Sequence, residues 1–241
     1  MIELLRHEQR QHLHHEQHDV WHSLFPGCFS DPSGTGFGFL LAFDELLLRP
    51  GASTEFRCGS DTEVVAYVYE GALSQKDSRG SSGVLHAGGF QRTSTGFRLR
   101  QSITDVSRHQ GVHLFRMIFR SAQAELEPNH EQRCFTEAQR RNLLCAVASP
   151  DERRDSLRIH QDALVYSAVL DSGLHIVHEL APDRTAWLHT VSGQATLDDI
   201  TLTRGDSVSV TDERAVSFTA REDAEFLLID MGPTFLRPWE K

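Results

Sequence analysis

Apolar residues along this chain alternate with polar ones or gather in short unbroken runs, with Gly, Pro, Asp and Ser between them. That pattern predicts strands joined by turns. In the first half the runs are Phe37 to Leu48, Val64-Val65-Ala66-Tyr67-Val68-Tyr69 and His113-Leu114-Phe115-Arg116-Met117-Ile118-Phe119, with Val84-Leu85 between them. In the second half they are Leu157–Ile159, Leu164–Asp171, His175–Leu180, Ala186–Val191, Ala195–Leu202, Ser207–Val210, Ala215–Ala220 and Glu225–Ile229. Between the halves, Glu131 to Ala146 is rich in Glu, Gln, Arg, Leu and Ala, which favour helix. A helix is expected over roughly Thr136 to Leu144, with Thr136 as its N-cap. Residues 1–20 are polar and read as an edge segment or a short helix.

The halves repeat weakly. A strand ends at Glu70-Gly71, a hairpin follows, and Gly88-Gly89 opens another strand. In the second half Ser192-Gly193 and Gly205-Asp206 play the same parts. A small jelly roll reads this way.

Composition narrows the functional classes. The chain has 241 residues, enough for two small cores, and a formal net charge of −10. Without a basic block it is a poor candidate for direct nucleic-acid or anionic-membrane binding. No apolar run approaches the ~20 residues of a membrane helix. The start, Met1-Ile2-Glu3-Leu4-Leu5-Arg6-His7, turns polar at once, so a cytoplasmic address is expected. Cys28, Cys58, Cys134 and Cys145 form no C-x-x-C pair, which argues against a disulfide scaffold or a zinc finger.

From about Trp21 onward the sequence resembles the pirin-like proteins. In the first half the resemblance is carried by Phe29-Ser30-Asp31-Pro32, Gly36-Phe37-Gly38, Pro50-Gly51, Tyr67-Val68-Tyr69-Glu70-Gly71 and Lys76-Asp77-Ser78-Arg79-Gly80. In the second it is carried by Ala148-Ser149-Pro150, Ser156-Leu157, His160-Gln161-Asp162-Ala163, Trp187 to Gly193, Leu202-Thr203-Arg204-Gly205-Asp206 and Ala224 to Asp230. The resemblance implies an all-β bicupin of two stacked jelly-roll barrels. The expected division is an N-terminal cupin over 1–128, a helical linker over 129–147 and a C-terminal cupin over 148–241.

It also implies a metal in the first barrel, held in the family by three His and one Glu. Some members open the flavonol quercetin with O₂; others are transcription cofactors. Counting back from Gly71, a His-Pro-His belongs at 57–59, where this chain has Arg57-Cys58-Gly59. Counting forward from Gly88, the remaining His and Glu fall on Gln101 and Ile103. Glu63 and Gly96 still match the family. Arg57 would repel a cation, Gly59 and Ile103 carry no donor, and Gln101 offers only an amide oxygen. The expectation is a degenerate site with no metal, no cofactor and no catalytic residue.

A non-enzymatic regulatory, stress-response or small-ligand-binding protein follows as the first reading. A quercetinase-like enzyme with an altered site is the alternative. The former site would bind a small oxygenated or anionic ligand through Arg57, Gln101 and Arg92, or else Arg57 pairs internally with Glu63 or Asp61; a protein partner is a further expectation. Cys58 is a redox candidate because a cation beside a thiol favours the thiolate, against a plainer reading as core filling. His12, His14, His15 and His18 would put His14 and His18 on one helix face, against a solvated polar terminus. Mapping from Gly193 lands on Glu179 and Ala181. His175 and His178 face opposite ways on a strand, and with His189 they read as solvated or core-edge residues.

Overall fold

The computed structural model describes residues 1–24, 36–96, 99–107 and 109–233, and within them the apolar runs are strands. The signpost Phe29–Pro32 and Cys28 lie outside the described residues. Up to the middle of the chain the strands are β1 (Ile2–Leu5), β2 (Gln11–His14), β3 (His18–His22), β4 (Leu40–Leu48), β5 (Ser53–Cys58), β6 (Thr62–Glu70), β7 (Ala72–Asp77), β8 (Ser82–His86), β9 (Gly89–Ser94), β10 (Leu99–Asp105), β11 (Val112–Arg120) and β12 (Asn129–Cys134). Then come α1 (Glu137–Arg140), β13 (Cys145–Ser149), β14 (Leu157–Arg158), β15 (Ala163–Leu170), β16 (His175–Glu179), β17 (Thr185–Ser192), β18 (Gln194–Leu197), β19 (Ile200–Thr203), β20 (Ser207–Val210), β21 (Ala215–Ala220) and β22 (Ala224–Met231).

Each half pairs a seven-stranded sheet with a four-stranded one. The first half has the orders β12-β9-β6-β11-β4-β3-β2 and β5-β10-β7-β8. The second has β1-β20-β17-β22-β15-β13-β14 and β16-β21-β18-β19. One core fills the first barrel, around Leu46, Val68, Leu73, Ile103 and Leu114. Another fills the second, around Leu188, Val208, Phe218 and Leu228.

A third core lies between the halves, where the two large sheets stack. Phe43, Val65, Tyr67, Phe115 and Met117 meet Val165, Trp187, Leu227 and Ile229 there. This explains the unbroken apolar runs: a strand buried on both faces needs no polar alternation. On β6, Val64 and Val68 face the barrel while Val65 and Tyr67 face the other half. On β11, Val112 and Leu114 face in, and Phe115, Met117 and Phe119 face across. Burying each such side chain is worth roughly 1.5–3 kcal/mol.

Two expectations change. The helical linker shrinks to one turn, α1, with the Thr136 hydroxyl accepting from the Gln139 N–H as expected of its N-cap. Arg141 turns extended (φ −75, ψ 124) and Asn142 turns left-handed (φ +62). Asn142 instead bonds Asp171 in both directions, at 2.7 and 2.9 Å. Residues 129–134 pair with β9 as a strand, overriding their helix propensity.

The second change concerns the N-terminus. β1 leaves the first half and pairs with β20, Leu4 opposite Val208. Arg6 Nη1 donates to Asp206 at 2.8 Å, and Arg10 Nη1 donates to Glu45 of β4 at 2.5 Å. The arm therefore holds both halves. Among the described residues no helix is long and apolar enough to cross a membrane.

Candidate functional site in the first barrel

β5 and β10 carry the positions singled out in the sequence, and their register decides which of them face inward. Gln101 lies opposite Phe56 and Ile103 opposite Thr54. Opposed residues of an antiparallel pair share a face. Gln101 and Ile103 are buried. On β5, Ser53, Glu55 and Arg57 are exposed, Thr54 and Phe56 half-buried, and Cys58 buried. The inward set on β5 is thus Thr54, Phe56 and Cys58.

Arg57 points outward, which corrects the expectation that it lines the barrel. Gly59 is exposed in the turn that follows β5. Its carbonyl accepts from the hydroxyls of Thr62 (3.1 Å) and Thr95 (2.8 Å). Asp61 is left-handed in the same turn (φ +52). A count back from Gly71 crosses this turn, where residue number no longer fixes strand face. Neither proposed partner of Arg57 takes it. Asp61 accepts from the Glu125 N–H at 2.8 Å, and Glu63 accepts from the His160 N–H at 2.6 Å. Arg92 also faces away from the barrel, donating to the Arg158 carbonyl of the second half at 2.8 Å.

Inside, glutamines form a chain. Gln101 Nε2 donates to Gln75 Oε1 at 2.9 Å, Gln75 Nε2 donates to Gln91 Oε1, and Gln91 Nε2 donates to Thr93 Oγ1 at 3.1 Å. The space left beside them is about 10 Å³, the room of one water. Ile103 packs in the apolar core with Leu73, Leu85 and Leu114.

The sequence reading missed Arg116. It sits on the barrel face of β11 and is 6% exposed. Its guanidinium lies over the Phe56 ring, 3.6 Å from the centroid, and 3.8 Å from Asp44 Oδ2. Asp44 Oδ1 is 2.6 Å from His22 Nδ1, and that hydrogen bond raises the His22 pKa against the pull of burial. A lone charge in the run His113 to Phe119, at a barrel-facing position, was the available signal.

Arg116, not Arg57, is the cation whose charge reaches Cys58. Burial dominates there and pushes the thiol upward, with Arg116 pulling it down less. Cys58 packs with Val64 and Leu99. The redox expectation thus loses its physical basis: the thiol is neither exposed nor acidified.

A family-type metal does not fit these residues. The inward positions offer hydrocarbon, an aromatic ring, a hydroxyl, an amide and a protonated thiol, beside a permanent cation. Among the described residues no three His, Cys, Asp or Glu are grouped to hold a metal. The N-terminal histidines lie on the β2–β3 hairpin, so His14 and His18 share no helix face. His12 Nε2 and His14 Nδ1 both bond Asp19 Oδ1, at 2.9 and 2.7 Å. His175 is exposed, while His178 turns inward and bonds Asp230 at 2.8 Å. His189 is no edge residue: it is fully buried between the halves, against Phe43 and Phe115.

Two stacked jelly-roll barrels with separate cores define a bicupin protein. A family model described as the quercetinase C-terminal cupin domain matches residues 146–231. The quercetin 2,3-dioxygenase of Escherichia coli K12 is 32% identical over 233 residues, covering 97% of this chain and all of that protein. The crystal structure of Escherichia coli YhhW superposes with a TM-score of 0.88 at 31% identity, covering 98% of this chain and all of YhhW. The structure of the bacterial pirin YhhW in complex with nickel(II) gives 0.85 at 30% identity, covering 97% of this chain and all of that one. The chain belongs to the pirin family.

Proposed function

We propose that this pirin-like bicupin works without a metal centre in its first barrel, as a non-enzymatic regulatory, stress-response or small-ligand-binding protein. The observation that carries this reading is the inward set Phe56, Cys58, Gln101 and Ile103, with Arg116 stacked over Phe56. A divalent ion entering this barrel would exchange its water for an amide and hydrocarbon beside a fixed positive charge. Beside the glutamine chain the space is about 10 Å³, far too little for a flavonol. Ring-opening dioxygenation then has no centre to run on. Elemental analysis of the purified chain, paired with a quercetin-consumption assay, tests this. The expected result is metal well below one ion per chain and no consumption. Nickel, iron or copper near one per chain, tracking with consumption, would overturn it.

A second reading, a quercetinase-like enzyme with an altered site, is favoured by one observation: the relative bearing that name aligns with 97% of the chain. It requires turnover that falls in Gln101→Ala. The same assay separates the two readings.

A further inference from the structure

Where β6 and β17 end and β22 begins, the two halves leave a cleft of about 430 Å³. That is the size range of small-molecule sites. The internal repeat meets itself here: Glu70, before Gly71, comes from one half, and Ser192, before Gly193, from the other.

A buried ion pair lies in its wall. Arg140 Nη1 donates to Glu225 Oε1 (2.5 Å), Ser167 Oγ (2.8 Å) and Tyr67 OH (3.2 Å), and Arg140 Nε donates to the Phe135 carbonyl (3.2 Å). Tyr67 OH also donates to Glu225 Oε1, at 2.5 Å. Arg140 and Glu225 are only 5% and 10% exposed at their side chains. Yet Arg140 Nη2 and Glu225 Oε2 have no hydrogen bond among the described residues. Two charged side chains that line the cleft thus each keep one polar atom free of protein partners among the described residues, and both atoms are open to the cleft and not sealed in the core.

The remaining lining selects the partner's charge. Glu70 and Asp223 line the cleft with no ion pair among the described residues, whereas Arg141 is tied to Glu137 and Asp171. An anion would meet these carboxylates, and a cation beside the ion pair would meet the Arg140 guanidinium. A neutral molecule with several hydroxyl donors and one acceptor satisfies both. Tyr69 supplies an aromatic wall for a ring.

We propose that this cleft between the barrels binds a neutral polyhydroxylated ring compound, with Arg140 Nη2 donating to it and Glu225 Oε2 accepting from it. The proposal is independent of the metal question. Polyphenols and carbohydrates share this chemistry, so calorimetry on the whole chain uses quercetin and catechol for one source, and glucose and maltose for the other. Spermidine and citrate serve as charged controls. Binding by one neutral source, and by neither control, is expected and names the source. Val169→Trp, which fills the cleft from β15, is expected to weaken binding at least about tenfold at an unchanged melting temperature, while Gln101→Leu leaves it unchanged. Should Val169→Trp unfold, Ser192→Phe narrows the cleft from the far side of β22 and is read the same way. The proposal is overturned if no neutral probe binds, if a charged control binds more tightly, if a folded filling variant binds as well as the parent, or if Gln101→Leu abolishes binding.

Discussion

The guanidinium carbon of Arg116 lies 3.6 Å from the centre of the Phe56 ring, inside the first barrel. Phe56 faces Gln101 across the β5–β10 pair. A desolvated cation–π contact of this kind is worth about 2 kcal/mol. It also places a charge that no titration removes next to the inward face of β5.

Restoring donors alone should therefore not restore a metal. The four-fold variant Phe56→His, Cys58→His, Gln101→His, Ile103→Glu is expected to bind nickel(II) poorly. Adding Arg116→Met should tighten binding by about tenfold or more, since a like charge near the ion is gone. Calorimetric titration with nickel reads both. Equal affinities would show that Arg116 is irrelevant to metal exclusion.

The thiols should rank by exposure. Cys134 is exposed and Cys58 buried. After mild peroxide, mass spectrometry is expected to find Cys134 modified first and Cys58 intact in the folded chain. Early modification of Cys58 would contradict the packing around it.

Acid should destabilise the protein, partly through His189. Its Nδ1 bonds Ser207 at 2.8 Å and its Nε2 has no hydrogen bond among the described residues. Burial pushes its pKa down to about 3, from the ordinary 6.5. Below pH 6.5 the unfolded chain takes up a proton that the folded chain refuses, so stability falls as pH drops, by up to ~1.4 kcal/mol per unit. Glu45 adds to this at lower pH. Burial opposes its ionisation, but His113 and Arg10 hold it well below the usual carboxylate range. His22 runs the other way: its raised pKa stabilises below 6.5 and that gain is lost as pH rises. Thermal melts from pH 7 to 5 should show a decline that His189→Asn flattens, whatever the variant's baseline. Parallel curves would remove His189 as the cause.

The repeat predicts paired sensitivity. Gly71 (φ +82) and Gly193 (φ +76) end equivalent strands. A Cβ on Gly71 would come within 2.2 Å of the Gly111 carbonyl oxygen, and one on Gly193 within 2.3 Å of the Asp223 carbonyl oxygen. Alanine at either is expected to cost upwards of roughly 1–3 kcal/mol in chemical denaturation. Gly51→Ala is the control. Its φ is also positive (+72) but nothing lies within 4 Å, so only the conformational part of the cost, about 1 kcal/mol, remains.

The barrels were legible because Val64–Tyr69 and His113–Phe119 are buried on two faces and say so in their composition. The count from Gly88 ended on Gln101 and Ile103, two positions of β10 whose side chains do face inward. Arg57 was misplaced because the count from Gly71 ran through the Gly59–Asp61 turn, and a one-residue error reverses every side chain of a strand. Arg140 was hidden for another reason. It lies in a stretch of helix formers, and only the stacking of the halves makes it a buried partner of Glu225. Arg116 was visible as a charge in an apolar run, but its neighbour Phe56 comes from a distant strand.

The N-terminal arm has a consequence for how the molecule is made. Arg6 and Asp206 stand 200 positions apart, and β1 pairs with β20 alone. β1 must wait for its partner strand until β20, some 200 positions further along, has been synthesised. Until then the β20 edge does not exist, and Glu45 in the first barrel can already hold Arg10 at 2.5 Å. The arm is thus tethered early at its inner end and closed late at its outer end, so the two barrels are locked together by a segment that can seat only once β20 has formed.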